Sequence, residues 1–147
     1  MFYADGSALR LSVVDADYPF LPGEDAGVGE HAPAWRAWLA AHHDEVVVTE
    51  MGLGAARNAA VVLGWEARDT VRGLAETLTV LRVPDRAFPV AAMVAEVVPS
   101  VDAVHLGVAV ADPQVDTFVT YVRQSAQLAR MYGLEVLAPG RPDRWWG

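Results

Sequence analysis

Apolar runs and amphipathic stretches alternate along the whole chain. Phe2, Tyr3 and Ala4 suit a short buried strand, and Ser7-Ala8-Leu9 opens a helix after the turn at Asp5. Apolar positions over 34–42 (AWRAWLAAH) predict an amphipathic helix, and EVVVT at 45–49 reads as a β-branched strand. An Ala-rich helix is expected over 51–65 and a second over 67–78, followed by a strand over 79–83 (TVLRV). The stretch 84–98 contains a helix, and Ser100 is a candidate cap for a helix over 101–111. A strand over 116–121 (DTFVTY), a helix over 123–132 and a last strand over 134–137 complete the series, with Gly133 as the helix stop. This alternation predicts an α/β sandwich around a mostly parallel central sheet, and the unbroken Val46-Val47-Val48 run fits a strand buried on both faces. Two segments fall outside the pattern. Residues 15–33 (DADYPFLPGEDAGVGEHAP) read as a long surface loop, either disordered or serving as a lid or partner-binding segment, and 140–147 (GRPDRWWG) as a non-helical tail.

With 147 residues, 53% hydrophobic and 20% charged, the chain is expected to form one globular domain with a proper core. It has no cysteine, which excludes disulfides and thiolate metal sites and suits a reducing cytoplasm. No signal peptide is evident, and no apolar run reaches the roughly 18 residues of a membrane span. The net charge of −8 offers no long-range attraction to a phosphate backbone. It serves solubility, or it gathers acids around a divalent metal that would partly cancel their field.

Three motifs suggest chemistry and fall short. Gly52 and Gly54 follow a strand as in a dinucleotide fingerprint, but Arg57 occupies the third glycine position and Glu50 would repel pyrophosphate. Asp15 and Asp17 resemble a phosphatase DxD opening without its later partners. His42-His43-Asp44 ends a helix, where histidine complements the dipole. A better constellation is formed by acids at element boundaries. Asp5 ends the first strand, Glu50 ends the strand 45–49, and Asp102 lies in the first turn after Ser100. In a doubly wound sheet these points share one edge. The pattern leaves two readings open: three oxygen ligands for a hard divalent cation, or three helix-start acids favoured by the dipole.

Four segments resemble a PIN domain, more narrowly a VapC-type toxin ribonuclease of a toxin–antitoxin pair. YADGSAL matches the family's opening, VVVTE its second strand and acid, VDAVHLGVA its Asp-Ala-Ile-His-Leu segment, and FVTYVRQSAQLARMYGLEVLAPG its last strand-helix-strand. The order is right and the resemblance spans nearly the whole chain. It implies a three-layer α/β/α PIN-like fold and a metal-dependent endoribonuclease using Mg²⁺ or Mn²⁺. Asp5, Glu50 and Asp102 become the catalytic, metal-binding acids, with Ser7 and Thr120 as polar companions. Arg57, seven residues after Glu50, would contact RNA phosphate or hold Glu50; His105 would lie near the site or pack inside the fold. The implied partners are structured RNA such as transfer RNA, a VapB-like antitoxin inserting a basic peptide, and a second copy in a homodimer.

The sequence departs from the family where Gly6 replaces threonine, in the longer segment 15–33, and at Val122. There the family carries a fourth acid or asparagine, and valine cannot ligate metal. Asp116 is six residues earlier, roughly 20 Å along an extended strand, and cannot substitute. Three acids are therefore expected to hold one metal through Asp5 and Asp102, with Glu50 direct or through water, and a second metal to be weak or absent. The alternative is a degenerate PIN domain that binds antitoxin or RNA without efficient cleavage. Trp145 and Trp146 either pack on the chain itself or contact a partner.

Overall fold

Three residues suffice for strand β1 (Phe2–Ala4) because it is hydrogen-bonded on both sides, in parallel with β2 (Val46–Thr49) and with β4 (Thr117–Val119). A computed structural model describes residues 1–21 and 23–147 of the chain. Strand β3 (Thr79–Leu81) pairs with β2, and β5 (Glu135–Leu137) pairs with β4. The five-stranded sheet has the order β3-β2-β1-β4-β5, and every pair is parallel. Parallel neighbours need crossovers, and here helices supply them and cover both faces.

Alternation along the short strands divides the core in two. Ala4, Val46, Val48 and Val119 pack with residues of helices α1 (Gly6–Arg10), α2 (Ala32–His42), α3 (Glu50–Val61) and α4 (Trp65–Thr77), among them Leu9, Trp35, Leu53 and Val71. Tyr3, Val47 and Phe118 point the other way. They meet Ala91 of α5 (Ala87–Val94), Leu106 of α6 (Ser100–Ala111) and Leu128 of α7 (Arg123–Met131). The result is a three-layer α/β/α architecture, and the alternation of elements predicts its α/β class and parallel sheet. Among the described residues, no helix is long and apolar enough to cross a membrane.

Element boundaries differ from the sequence pattern where local chemistry intervenes. Helix α3 starts at Glu50 because Thr49 Oγ1 accepts from Gly52 N at 3.2 Å, and it ends at Val61 before the turn at Val62-Leu63. Helix α2 begins at Ala32, two residues early, with Pro33 in its first turn, where the missing N–H costs nothing. Ser100 is the first helical residue of α6 and not its cap; Pro99 holds that position and no side chain closes the end. Gly133 does stop α7. At φ +89° it lets Gly133 N reach Arg130 O and Leu134 N reach Ala129 O, both at 3.0 Å.

The segment 15–33 is tied to the body at several points. Arg10 Nη1 donates to Pro19 O at 3.2 Å, and Arg10 Nη2 pairs with Glu24. Asp25 pairs with Arg123 at 2.9 Å and Arg141 at 3.1 Å. Val28 is buried, and a short 3-10 turn spans Val28–His31. The tail packs on the chain itself: Trp145 is buried beneath Arg123 and Arg141, whose guanidinium carbons lie 5.6 and 4.9 Å from its ring centre.

Candidate functional site

The strand order reverses at β1. Strands β2 and β3 lie on one side of it, β4 and β5 on the other. In open parallel sheets, the crevice beyond the carboxyl ends at such a reversal is where ligands bind. Asp5 stands at this point, with its N–H still bonded to Val119 O at 3.1 Å.

Asp5 is buried and fully engaged. Its Oδ1 accepts from Ser7 Oγ at 2.6 Å and from Ala8 N at 3.1 Å, and its Oδ2 accepts from Thr120 Oγ1 at 2.6 Å. The two hydroxyls are themselves fixed: Ser7 Oγ accepts from Tyr121 N at 2.9 Å, and Thr120 Oγ1 from Val122 N at 3.1 Å. Asp5 thus caps α1 and is also locked to the end of β4. Gly6 belongs to this construction. A Cβ there would lie 2.9 Å from Ala55 Cβ, so the close approach of α1 to α3 excludes the threonine that the family resemblance suggests.

Asp102, in the first turn of α6, is half-buried and faces negative charge. Burial first, then Asp5, then Glu24 push its carboxyl up to about 7, and no hydrogen bond or cation among the described residues opposes them. Glu24 is an acid that the sequence pattern did not single out and whose charge acts on Asp102. Its carboxyl is also raised, first by burial and further by Asp5, although Arg10 and a bond from Leu21 N at 2.8 Å pull the other way. The visible signal was Arg10, a charged residue inside the apolar run ALRLSVV: on the buried face of a short helix it requires an anionic partner.

His105 is buried behind Asp5. Its Nδ1 lies 2.6 Å from Tyr3 Oη, which lies 3.3 Å from Thr49 Oγ1. Burial raises Tyr3 well above the ordinary phenol range and lowers His105, so both stay neutral. The other ring nitrogen, Nε2, lies 3.6 Å from where a Cβ on Gly6 would stand and has no partner among the described residues. His105 therefore packs behind the acids as a bonded core residue.

Glu50 does not join them. It heads α3 on the same sheet edge, but its side chain is 68% exposed and its Oε2 accepts from Arg57 Nη1 at 2.9 Å. The sequence left Arg57 two roles, and the one seen here is holding Glu50. Val122 is buried at the position following β4 and Tyr121. Asp116 lies at the amino edge of the sheet, its N–H bonded to Met1 O at 3.1 Å. Of the weaker motifs, Asp15 is 87% exposed beside Arg36, His43 bonds Thr77 Oγ1 at 3.0 Å, and Gly52 and Gly54 lie inside α3.

The donor set is all oxygen, which suits Mg²⁺ or Mn²⁺. Among the described residues, no three His, Cys, Asp or Glu side chains stand together at metal-holding distance. Mg²⁺ commonly uses one or two carboxylates and keeps several waters, so the donor chemistry of Asp5 and Asp102 is compatible with it. A dication there would relieve the like-charge burden on Asp102. Comparison with known protein families, curated proteins and solved structures returns no match to this chain.

Proposed function

We propose that the chain is a metal-dependent endoribonuclease of PIN type, acting as the toxin of a toxin–antitoxin pair in the cytoplasm. The observation that carries this reading is Asp5, buried at the switch point and fixed by Ser7, Ala8 N and Thr120, near enough to Asp102 for its charge to help raise that carboxyl. The four sequence segments that resemble VapC toxins give the nuclease class. Asp5 and Asp102 would hold Mg²⁺ or Mn²⁺, with Glu50 swinging off Arg57 to help. When bound, the metal supplies an activated water and stabilises charge developing on the phosphodiester. Ser7 and Thr120 keep Asp5 oriented, and Arg57, once released, can meet an RNA phosphate. A single-metal site follows from Val122. Structured RNA such as transfer RNA is the proposed substrate class. A VapB-like antitoxin with a basic peptide would complement the acidic pocket, and a homodimer is the proposed assembly.

A second reading has a specific observation in its favour. With Val122 buried where the family carries an acid, and Glu50 paired to Arg57, the domain would bind antitoxin or RNA without efficient cleavage. RNA cleavage in Mg²⁺ or Mn²⁺ by the wild type, Asp5→Asn and Val122→Asp separates the two. Cleavage by the wild type that Asp5→Asn abolishes supports the nuclease. Cleavage by Val122→Asp alone supports the binding module, and cleavage by none refutes the nuclease reading.

A further inference from the structure

Glu24 comes from the segment between α1 and α2, outside the set of acids the nuclease reading uses. Three observations set it apart from a surface acid. Its side chain is 1% exposed. Its backbone forms an antiparallel bridge with Val122, whose N–H bonds the same Thr120 Oγ1 that donates to Asp5. Its two oxygens are treated unequally: Oε1 accepts from both Leu21 N and Arg10 Nη2, while Oε2 is buried with no hydrogen-bond partner among the described residues.

A buried carboxylate oxygen without a donor is costly, and native structures seldom leave one so. Glu24 as a pure counter-ion for Arg10 would present both oxygens to the guanidinium in the forked geometry that Arg favours. Instead Arg10 places Nη1 on Pro19 O, and both its own Nε and Glu24 Oε2 are buried without a hydrogen-bond partner among the described residues. Glu24 also lies within electrostatic reach of Asp5 and Asp102, the two carboxylates at the switch point. A hydrated dication between them would present water donors toward such an oxygen.

We infer that Glu24 Oε2 is a third carboxylate oxygen of the cation pocket, holding a divalent cation through one of its water ligands, and that it supplies from the neighbouring backbone the acid that position 122 lacks. The inference rests on the metal-dependent reading above. It makes Glu24 a positioning residue, acting through water on the metal, with Arg10 and the paired segment 15–33 setting its place. This accounts for the structured character of that segment: its turns carry Glu24 to Val122, and the Asp25 pairs with Arg123 and Arg141 clamp the next residue.

The test is Mn²⁺ binding to the full chain by isothermal titration, with no RNA present. The proteins are the wild type, Asp5→Asn, Glu24→Gln and the double variant Glu24→Gln/Val122→Asp. Water-mediated support of this kind is worth about 10- to 100-fold in metal affinity. Glu24→Gln is expected to weaken Mn²⁺ by that factor, and Val122→Asp in the same background to recover most of it by returning a carboxylate to the bridged position. Equal affinity of Glu24→Gln and wild type would overturn the inference and leave Glu24 as a partner of Arg10 only. If Glu24→Gln does not fold, Arg10→Met/Glu24→Met decides, because buried ion pairs are often replaceable by apolar residues of similar volume. Wild-type affinity in that variant overturns the inference, and a loss of about 10-fold or more supports it. No Mn²⁺ binding by the wild type would instead overturn the metal-dependent reading itself, an outcome distinct from a wild type that binds and a Glu24→Gln that binds equally.

Discussion

Thr120 donates its hydroxyl to Asp5 Oδ2 over 2.6 Å, although 115 positions separate the two in the chain. The bond joins the end of the central strand β1 to that of its neighbour β4, and Val122 N fixes the hydroxyl from the other side. Thr120→Val keeps the shape and removes the donor. It should lower stability by about 1–3 kcal/mol, because it leaves a buried carboxylate oxygen unsatisfied. Mn²⁺ affinity should fall about 10-fold, as is usual when the partner of a ligating carboxylate is lost. Thr120→Ser should restore both. Denaturant melts and titration of the three proteins check this; unchanged Mn²⁺ affinity in Thr120→Val would detach Thr120 from the site.

The contact between Gly6 and Ala55 yields a coupled pair. A methyl on residue 6 would meet Ala55 Cβ at 2.9 Å, where both helices are packed against the same core. Gly6→Ala should destabilise by about 1–3 kcal/mol through overpacking. Ala55→Gly alone should cost about 0.5–1 kcal/mol as a glycine inside α3. Combined, the changes should cost less than their sum, because the second removes the clash made by the first. Additive costs in urea melts would show that the clash is relieved elsewhere.

Much of this fold can be read in the sequence because it depends on periodicity. VVVT over β2, the Ala-rich α3 and the strand-helix-strand from Thr117 to Leu137 each follow one local rule. The errors arose where local rules compete. Ser100 is a good cap in isolation, yet Pro99 before it is already extended and takes the position. The site was half legible. Asp5 and Asp102 sit at element boundaries, which the pattern locates, whereas Ser7 and Thr120 came only from the family resemblance. Glu24 was not legible, since it lies among glycine, proline and other acids where no period exists. Its place depends on Arg10, fourteen residues earlier, and on a bridge to Val122, about a hundred later. Glu50 was correctly set on the sheet edge, but rotamer and ion pairing decide where its carboxylate points, and spacing carries no information about either.

Trp145 and Trp146 are neighbours with different surroundings. Trp145 is buried under two guanidinium groups that also pair with Asp25, whereas Trp146 is only half-buried, its carbonyl accepting from Gln127 at 2.8 Å. Trp145→Ala should cost about 3 kcal/mol, combining lost burial with lost cation–π contact. It should also loosen the Asp25 clamp, so amides in the segment 15–33 should exchange faster. Trp146→Ala should cost less and leave that exchange unchanged. Equal effects of the two substitutions would mean that the tail acts as one patch and not through Trp145.

Asp102 gives the site a pH signature. Its carboxyl is pushed up to about 7 in the folded chain, against about 4 for an unperturbed aspartate. Between those values the folded chain binds more protons than the unfolded one, so stability from this group is full below about pH 4 and is lost as pH rises through about 7. Asp102→Asn removes the titration and keeps the shape. In chelator, the variant and wild type should melt together near pH 4.5. The variant should melt a few degrees higher at pH 8, with the gap opening across the window between. Mn²⁺ should close the gap by stabilising the wild type alone, since a dication replaces the proton that Asp102 loses. Thermal melts from pH 4.5 to 8.5, with and without Mn²⁺, read both effects. A gap that stays constant with pH would mean that Asp102 titrates normally and that neither its burial nor the charges of Asp5 and Glu24 raise its carboxyl.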